Sequence, residues 1–254
     1  MARGIPVELD TYEEEDFQIN IDRLKSLITP RTRALIINTP SNPTGSCLSA
    51  DTLGEIAKIA EEEDLIVIAD DIYTSYSFEK DFIPFMSMPG MRERTITINS
   101  FSKNFIMTGW RVGNIIAPAF IVRVLKDMGE NIVYSAPAPS QRAAIYALRN
   151  RKVIQPPIIA EYRKRMEYAA ERINRIPWMS VITPPKGSFY LFINIKKSGL
   201  SSLDAADMIL EKAHVLLLPG NAFGRCGEGY LRLACTVGVD KLEEAFDRIE
   251  KIEL

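Results

Sequence analysis

The sequence predicts an α/β domain over residues 1–155, with a mostly parallel sheet and flanking helices, and a smaller C-terminal α+β domain over residues 156–254. Three observations predict this. Ala34–Asn38, Leu65–Ala69 and Thr95–Asn99 are short runs of apolar and β-branched residues, the pattern of strands buried on both faces in parallel sheets. Helical patterns alternate with them, as in βαβ units. The pair Pro156-Pro157 then punctuates the chain, and long helical patterns with short strands follow.

In order, Pro6–Leu9 reads as a short strand and Glu13–Asp16 as an acidic turn. Ile21–Ile28 has helical spacing, and Thr29-Pro30-Arg31-Thr32 breaks it before the run at Ala34. A loop, Thr39-Pro40-Ser41-Asn42-Pro43-Thr44-Gly45, leaves that strand. Ser49 or Asp51 caps a helix that continues to about Glu63, with Leu53, Ile56, Ile59 and Ala60 on one side. The strand at Leu65 ends in Asp70-Asp71-Ile72-Tyr73. The strand at Thr95 ends in Ser100-Phe101-Ser102-Lys103, and Val112–Ala117 is one more strand. Phe120–Val133 and Ser140–Arg149 are helical, and Ile158–Arg175 is a long amphipathic helix. Val181–Ile182, Ser188–Ile195, Val215–Leu218 and Tyr230–Ala234 read as strands. Leu203–Ala213 and Asp240–Ile252 read as helices.

Composition excludes several functions. The 254 residues carry a net charge of −2, which gives no support for nucleic-acid or membrane-surface binding. The basic cluster Arg163-Lys164-Arg165 lies in a helical pattern and reads as a solvated face. No apolar run approaches a membrane span, and no signal-peptide core opens the chain. Cys47, Cys226 and Cys235 have neither metal spacing nor a disulfide framework, so no metal is expected and the setting reads as reducing and cytoplasmic. The single histidine, His214, suits the edge of a helix or strand rather than a catalytic set.

Three loops leave the carboxyl ends of three strands, where open α/β sheets bind ligands. They carry Asn42, Asp70 with Tyr73, and Ser100 to Lys103, with Arg111 close behind. Hydroxyls and a guanidinium suit a phosphate, and a lysine among them suits an imine. The combination points to pyridoxal phosphate. Lys103 would form the imine, and Ser100, Ser102 and Arg111 would hold the phosphate. Asp70 would keep the pyridine nitrogen protonated, and Asn42 and Tyr73 would bond the phenolic oxygen.

Asn42-Pro43-Thr44-Gly45, Asp70-Asp71-Ile72-Tyr73, Ser100-Phe101-Ser102-Lys103 and Gly109-Trp110-Arg111-Val112-Gly113 resemble, in order and spacing, blocks of the class I and II aminotransferases of the aspartate-aminotransferase fold type. Gly187-Ser188-Phe189-Tyr190, Pro219-Gly220-Asn221-Ala222-Phe223-Gly224 and Leu231-Arg232-Leu233 resemble the family's C-terminal blocks. The resemblance implies that residues 1–155 form the cofactor-binding domain. It also implies that Lys103 carries the cofactor and shuttles the proton, and that Asp70 and Tyr73 assist it. Arg232 takes the substrate carboxylate, and Asn42 is a second substrate-binding residue. The partners implied are an amino acid, a 2-oxo acid and a second subunit. Asp71 stands where the family has Glu. Relative to the family, about an N-terminal third has no counterpart, which predicts a truncated member with exposed sheet surface. Two alternatives remain: a remnant domain without catalysis, and a pyridoxal-phosphate lyase such as one acting on carbon–sulfur bonds. An acyl-enzyme reading is rejected, because its serine should open a helix rather than end a buried strand and no Ser-x-Asn element is present. That reading would have drawn on Ser100-x-x-Lys103 with Lys197-Ser198-Gly199.

Overall fold

The computed structural model describes residues 4–254 and divides the chain into two compact units. One, the sheet unit, comprises Asn20–Pro40 and Leu48–Ile159; the other, the C-terminal unit, comprises the described residues up to Ile19, Ser41–Cys47 and Ala160–Leu254.

The sheet unit holds four strands, β1 (Ala34–Asn38), β2 (Ile66–Asp70), β3 (Thr95–Ser100) and β4 (Gly113–Ile116), in that spatial order. β1, β2 and β3 run parallel, and β4 is antiparallel to β3. Helix α1 (Ile21–Leu27) is capped by Asn20, whose side chain accepts from the Arg23 amide. Helix α2 (Ala50–Glu62) is capped in the same way by Ser49 and buries Leu53, Ile56, Ala57, Ile59 and Ala60. A one-turn helix, α3 (Phe101–Asn104), follows β3 directly, and α4 (Ala119–Ile132) and α5 (Ala138–Arg149) complete the unit before α6 (Arg151–Ile173). Phe101, Met107, Val112, Ala144 and Ala147 form a core cluster that Ile154 packs against.

In the C-terminal unit β5 (Tyr190–Asn194), β6 (Leu218–Pro219) and β7 (Tyr230–Ala234) form an antiparallel sheet in the order β5-β7-β6, with α7 (Ser202–Ala213) and α8 (Val239–Ile249). Phe17 meets Phe192 and Tyr230 edge-on, and those two rings stack at 4.7 Å. Glu13 accepts hydrogen bonds from the Tyr230 hydroxyl and the Asn194 amide, which fastens the early chain to this sheet. His214 caps α7 in the left-handed region at φ 52°.

Several expectations are corrected. Pro6–Leu9 forms no strand; Ile5 and Val7 are exposed and pair with nothing that would order them as one. Val181–Ile182 forms none either, since only Ser180 bridges to Asn194. Val215–Leu218 shrinks to β6, because only Leu218 and Pro219 pair with β7. Pro156 and Pro157 do not end a helix: α6 runs through both. A proline removes an amide donor and crowds the preceding turn, but here contacts on either side hold the helix. Ile154 packs on the sheet unit's core, Gln155 donates to Ser75 Oγ at 2.8 Å, and Tyr162 and Met166 are buried further along. The units accordingly divide at Ile159, inside α6, and Ser41–Cys47 groups with the C-terminal residues. The strands are not buried on both faces: Ile36 of β1 is 74% exposed.

Candidate functional site

Within the sheet unit, the parallel register brings the ends of the strands level: Asn38 lies beside Asp70, and Asp70 beside Ile98. The Asn38 side chain donates to the Asp70 carbonyl at 2.9 Å, and the Asp71 amide donates to Ile98 O at 2.9 Å. Burial raises the Asp70 carboxyl above its ordinary value, against a hydrogen bond from the Ile72 backbone. Asp71 is 2% exposed, and burial together with the charge of Asp70 pushes it up to about 7. Tyr73 is buried.

Ser100 ends β3 and caps α3, its hydroxyl oxygen accepting from the Ser102 amide at 3.2 Å. Lys103 therefore stands on a short helical turn, not on a free loop. That turn is held from outside: the Tyr76 hydroxyl donates to Lys103 O at 2.8 Å, and buried Asn104 accepts from the Ser75 amide while donating to Thr74 Oγ1. Gln155 reaches Asn104 O as well. Sequence reasoning missed Asn104, Gln155 and Tyr76 as supports. Asn104 had a local signal, a polar side chain directly after the lysine; the other two had none.

Arg111 adopts the left-handed region at φ 51° and donates to Thr108 O at 2.9 Å. Gly113 pairs with Ser100, and a Cβ at Gly113 would lie 2.7 Å from Asn99 O. A side chain there would force β4 off β3, so the glycine keeps Arg111 two residues from the rung that holds Ser100. The sheet unit thus gathers Asp70, Tyr73, Ser100, Ser102, Lys103 and Arg111 around the ends of β2 and β3 and the start of β4. This donor set fits pyridoxal phosphate: cation and hydroxyls for the phosphate, an amine for the aldehyde, and a carboxyl whose charge burial disfavours until a cation such as a pyridinium faces it.

The remaining two predicted residues, Asn42 and Arg232, lie in the C-terminal unit. Arg232 sits on β7 opposite Phe192 and Leu218. Its guanidinium lies between the rings of Tyr190 and Phe223, 4.4 and 4.6 Å from their centroids. It donates to Asn42 Oδ1 at 2.8 Å, while its buried Nε has no partner among the described residues. Gly45, at φ +71°, allows the Asn42 loop to approach β5, for a Cβ there would meet Tyr190 O at 2.7 Å. Phe223 was not foreseen as part of this arrangement. Its loop is pinned by Ser202, whose hydroxyl accepts from the Gly229 and Tyr230 amides. Gly220 and Gly227 pack backbone to backbone in that loop.

Comparison with known proteins agrees with these blocks. The profile of the family "Aminotransferase class I and II" matches residues 1–249. An aromatic-amino-acid aminotransferase of Thermococcus litoralis is 43% identical over 99% of this chain and 65% of its own length. An aspartate aminotransferase of Pyrococcus abyssi is 44% identical, with the same coverage. The crystal structure of an aromatic aminotransferase from Pyrococcus horikoshii superposes with a TM-score of 0.93 at 41% identity, covering 97% of this chain and 66% of that one. The chain spans about 65% of the length of the curated relatives it matches. On the family profile, the relatives and the shared fold together, the chain belongs to the class I and II aminotransferases, a family of enzymes.

Proposed function

We propose that this chain binds pyridoxal phosphate through Lys103 and serves transamination between an amino acid and a 2-oxo acid. The observation that carries the reading is the convergence of Asp70, Ser100, Lys103 and Arg111 at the strand ends of one compact unit. When bound, the cofactor supplies an electron sink for the bond broken at the substrate α-carbon. The protein supplies the rest. Arg111 and the hydroxyls of Ser100 and Ser102 hold the phosphate by charge-assisted bonds, each worth about 1.5–3 kcal/mol. Asp70 would hold a proton on the ring nitrogen and Tyr73 would donate to the phenolic oxygen, the role that the family resemblance also gives Asn42. Lys103 would hold and move the proton at its Nζ. Arg232, whose buried Nε has no hydrogen-bond partner among the described residues, would take the substrate carboxylate, which a planar guanidinium can bind with two parallel bonds. A homodimer and a cytoplasmic setting belong to the same proposal; no described helix is long and apolar enough to cross a membrane.

Adding pyridoxal phosphate to the purified chain tests this. The expected result is an imine absorbance band that borohydride fixes on Lys103, found by mass spectrometry of the peptide, and lost in Lys103→Ala. Absence of the band from a folded chain would sink the proposal. A second reading, cofactor binding without turnover, predicts the band but no amino transfer. The relatives named above are aminotransferases, and no observation favours the carbon–sulfur lyase.

A further inference from the structure

Asp16 and Phe17 both adopt the left-handed region, at φ 55° and 53°. For a bulky ring that conformation is an outlier, and it persists only where the surroundings hold it. Here they do. The 3-10 turn Glu13–Glu15 comes just before the pair. The Phe17 amide donates back to Tyr12 O at 2.8 Å, and the Gln18 amide to Glu15 O at 2.9 Å. Asp16 pairs with Lys186 at 3.0 Å, and Glu13 accepts from Tyr230 and Asn194. The strained turn sends two successive side chains, Phe17 and Gln18, to two different places in the C-terminal unit.

Phe17 is 6% exposed and meets Phe192 and Tyr230 edge-on, at 5.9 and 6.1 Å between ring centres. Phe192 lies directly opposite Arg232 on the neighbouring strand. Tyr230 precedes Arg232 by two residues on β7, so it shares a face with it. Phe17 therefore braces the sheet where the Arg232 side chain leaves it. The Gln18 side chain donates to Cys47 O at 3.0 Å. Cys47 ends the Ser41–Cys47 loop, which is drawn together by the Ser41 amide on Ser46 O at 2.9 Å and the Gly45 amide on Ser41 O at 3.1 Å. That loop carries Asn42, the acceptor for Arg232. One pair of adjacent residues thus holds both ends of the Arg232–Asn42 hydrogen bond, the arginine through its strand neighbours and the asparagine through its loop.

We propose that Phe17 and Gln18 are positioning residues that fix the guanidinium plane of Arg232 for a carboxylate. Two parallel bonds to a carboxylate need that plane held within narrow angular limits. The inference rests on the carboxylate role proposed for Arg232, and it adds the residues that aim it.

Two readouts on the full chain test it. Nitrogen-15 NMR of the arginine side chains reads rotation of the Arg232 terminal nitrogen that donates to Asn42, assigned by its loss in Arg232→Gln. Calorimetry reads the affinity for pyruvate, a 2-oxo acid. Gln18→Met keeps the length of the side chain and removes the donor. It should speed the rotation and weaken pyruvate binding about twofold to tenfold, the worth of one hydrogen bond. Phe17→Leu keeps an apolar side chain but loses the ring contacts, and it should speed the rotation as well. The urea midpoint separates a general loss of stability from this effect. A lowered midpoint with unchanged rotation in both variants overturns the proposal, because the two residues then only stabilise the fold. Pyruvate binding that is absent, or indifferent to Arg232→Gln, would sink the carboxylate role of Arg232 instead, and the rotation would still decide whether Phe17 and Gln18 position it.

Discussion

Burial drives the carboxyl of Asp71 up to about 7, and the charge of neighbouring Asp70 pushes the same way. In the unfolded chain such a group loses its proton near pH 4. Folding therefore takes up a proton between about pH 4 and 7. The stabilisation from this group is complete below that window, is lost as pH rises through it, and changes no further above it. Asp71→Asn should remove this slope and make the chain more stable at pH 8, on the order of 2–4 kcal/mol, read by urea denaturation at several pH values. An unchanged slope would mean that Asp71 is not the titrating group. Arg232 makes a different point about single residues. Two rings and one amide oxygen hold its guanidinium before any ligand arrives, so little side-chain freedom remains to be lost on binding. Phe223→Leu should remove a cation–π contact of about 0.5–2 kcal/mol. In an assembled, active enzyme it should raise KM for substrate more than it lowers kcat.

The elements of the C-terminal unit are joined by a few buried polar contacts. Arg172 of α6 is 7% exposed and reaches two carboxylates of the last helix region: Nε to Glu250 at 2.8 Å and a terminal nitrogen to Asp247 at 2.7 Å. Hydrogen bonds to charged groups contribute about 1.5–3 kcal/mol, so Arg172→Ala should cost about that much in urea denaturation and loosen α8 first in hydrogen exchange. The Ser202 hydroxyl satisfies two backbone amides in the loop before β7. Ser202→Ala leaves both buried, at about 1–3 kcal/mol each, and should raise exchange at Gly229 and Tyr230. Most elements were legible because they are local. Ser49, Ser201 and Asn20 cap the helices they precede, and the apolar runs became β1, β2 and β3. The two-residue strand β6 and the missing strands at Pro6–Leu9 and Val181–Ile182 were not legible, because a strand exists only where a partner pairs with it.

At the scale of the molecule, the sheet row Ile36, Ile68 and Ile96, none of them buried, dominates. A chain with this much apolar sheet in water should bind a hydrophobic dye strongly and aggregate with rising concentration. Dye fluorescence and light scattering measure the two. Dye binding equal to that of a fully covered protein would contradict the bare face. The grouping of Ser41–Cys47 with the C-terminal residues also belongs to this scale. Gly45 makes it possible by its close approach to Tyr190, and Asn42 reaches Arg232 across a separation of 190 residues because of it.

By itself, the sequence determined the fold class, most helices, the three parallel strands and the short polar blocks that carry the candidate chemistry. Those features follow from periodicity, capping and residue type within a few positions of one another. Only the tertiary structure decided that Phe223 and Tyr190 enclose Arg232, that Asn104 and Gln155 brace the turn holding Lys103, and that α6 continues through two prolines. Each of these depends on which distant residues arrive in contact, or fail to, and a side chain's neighbours in space are not written in its neighbours along the chain.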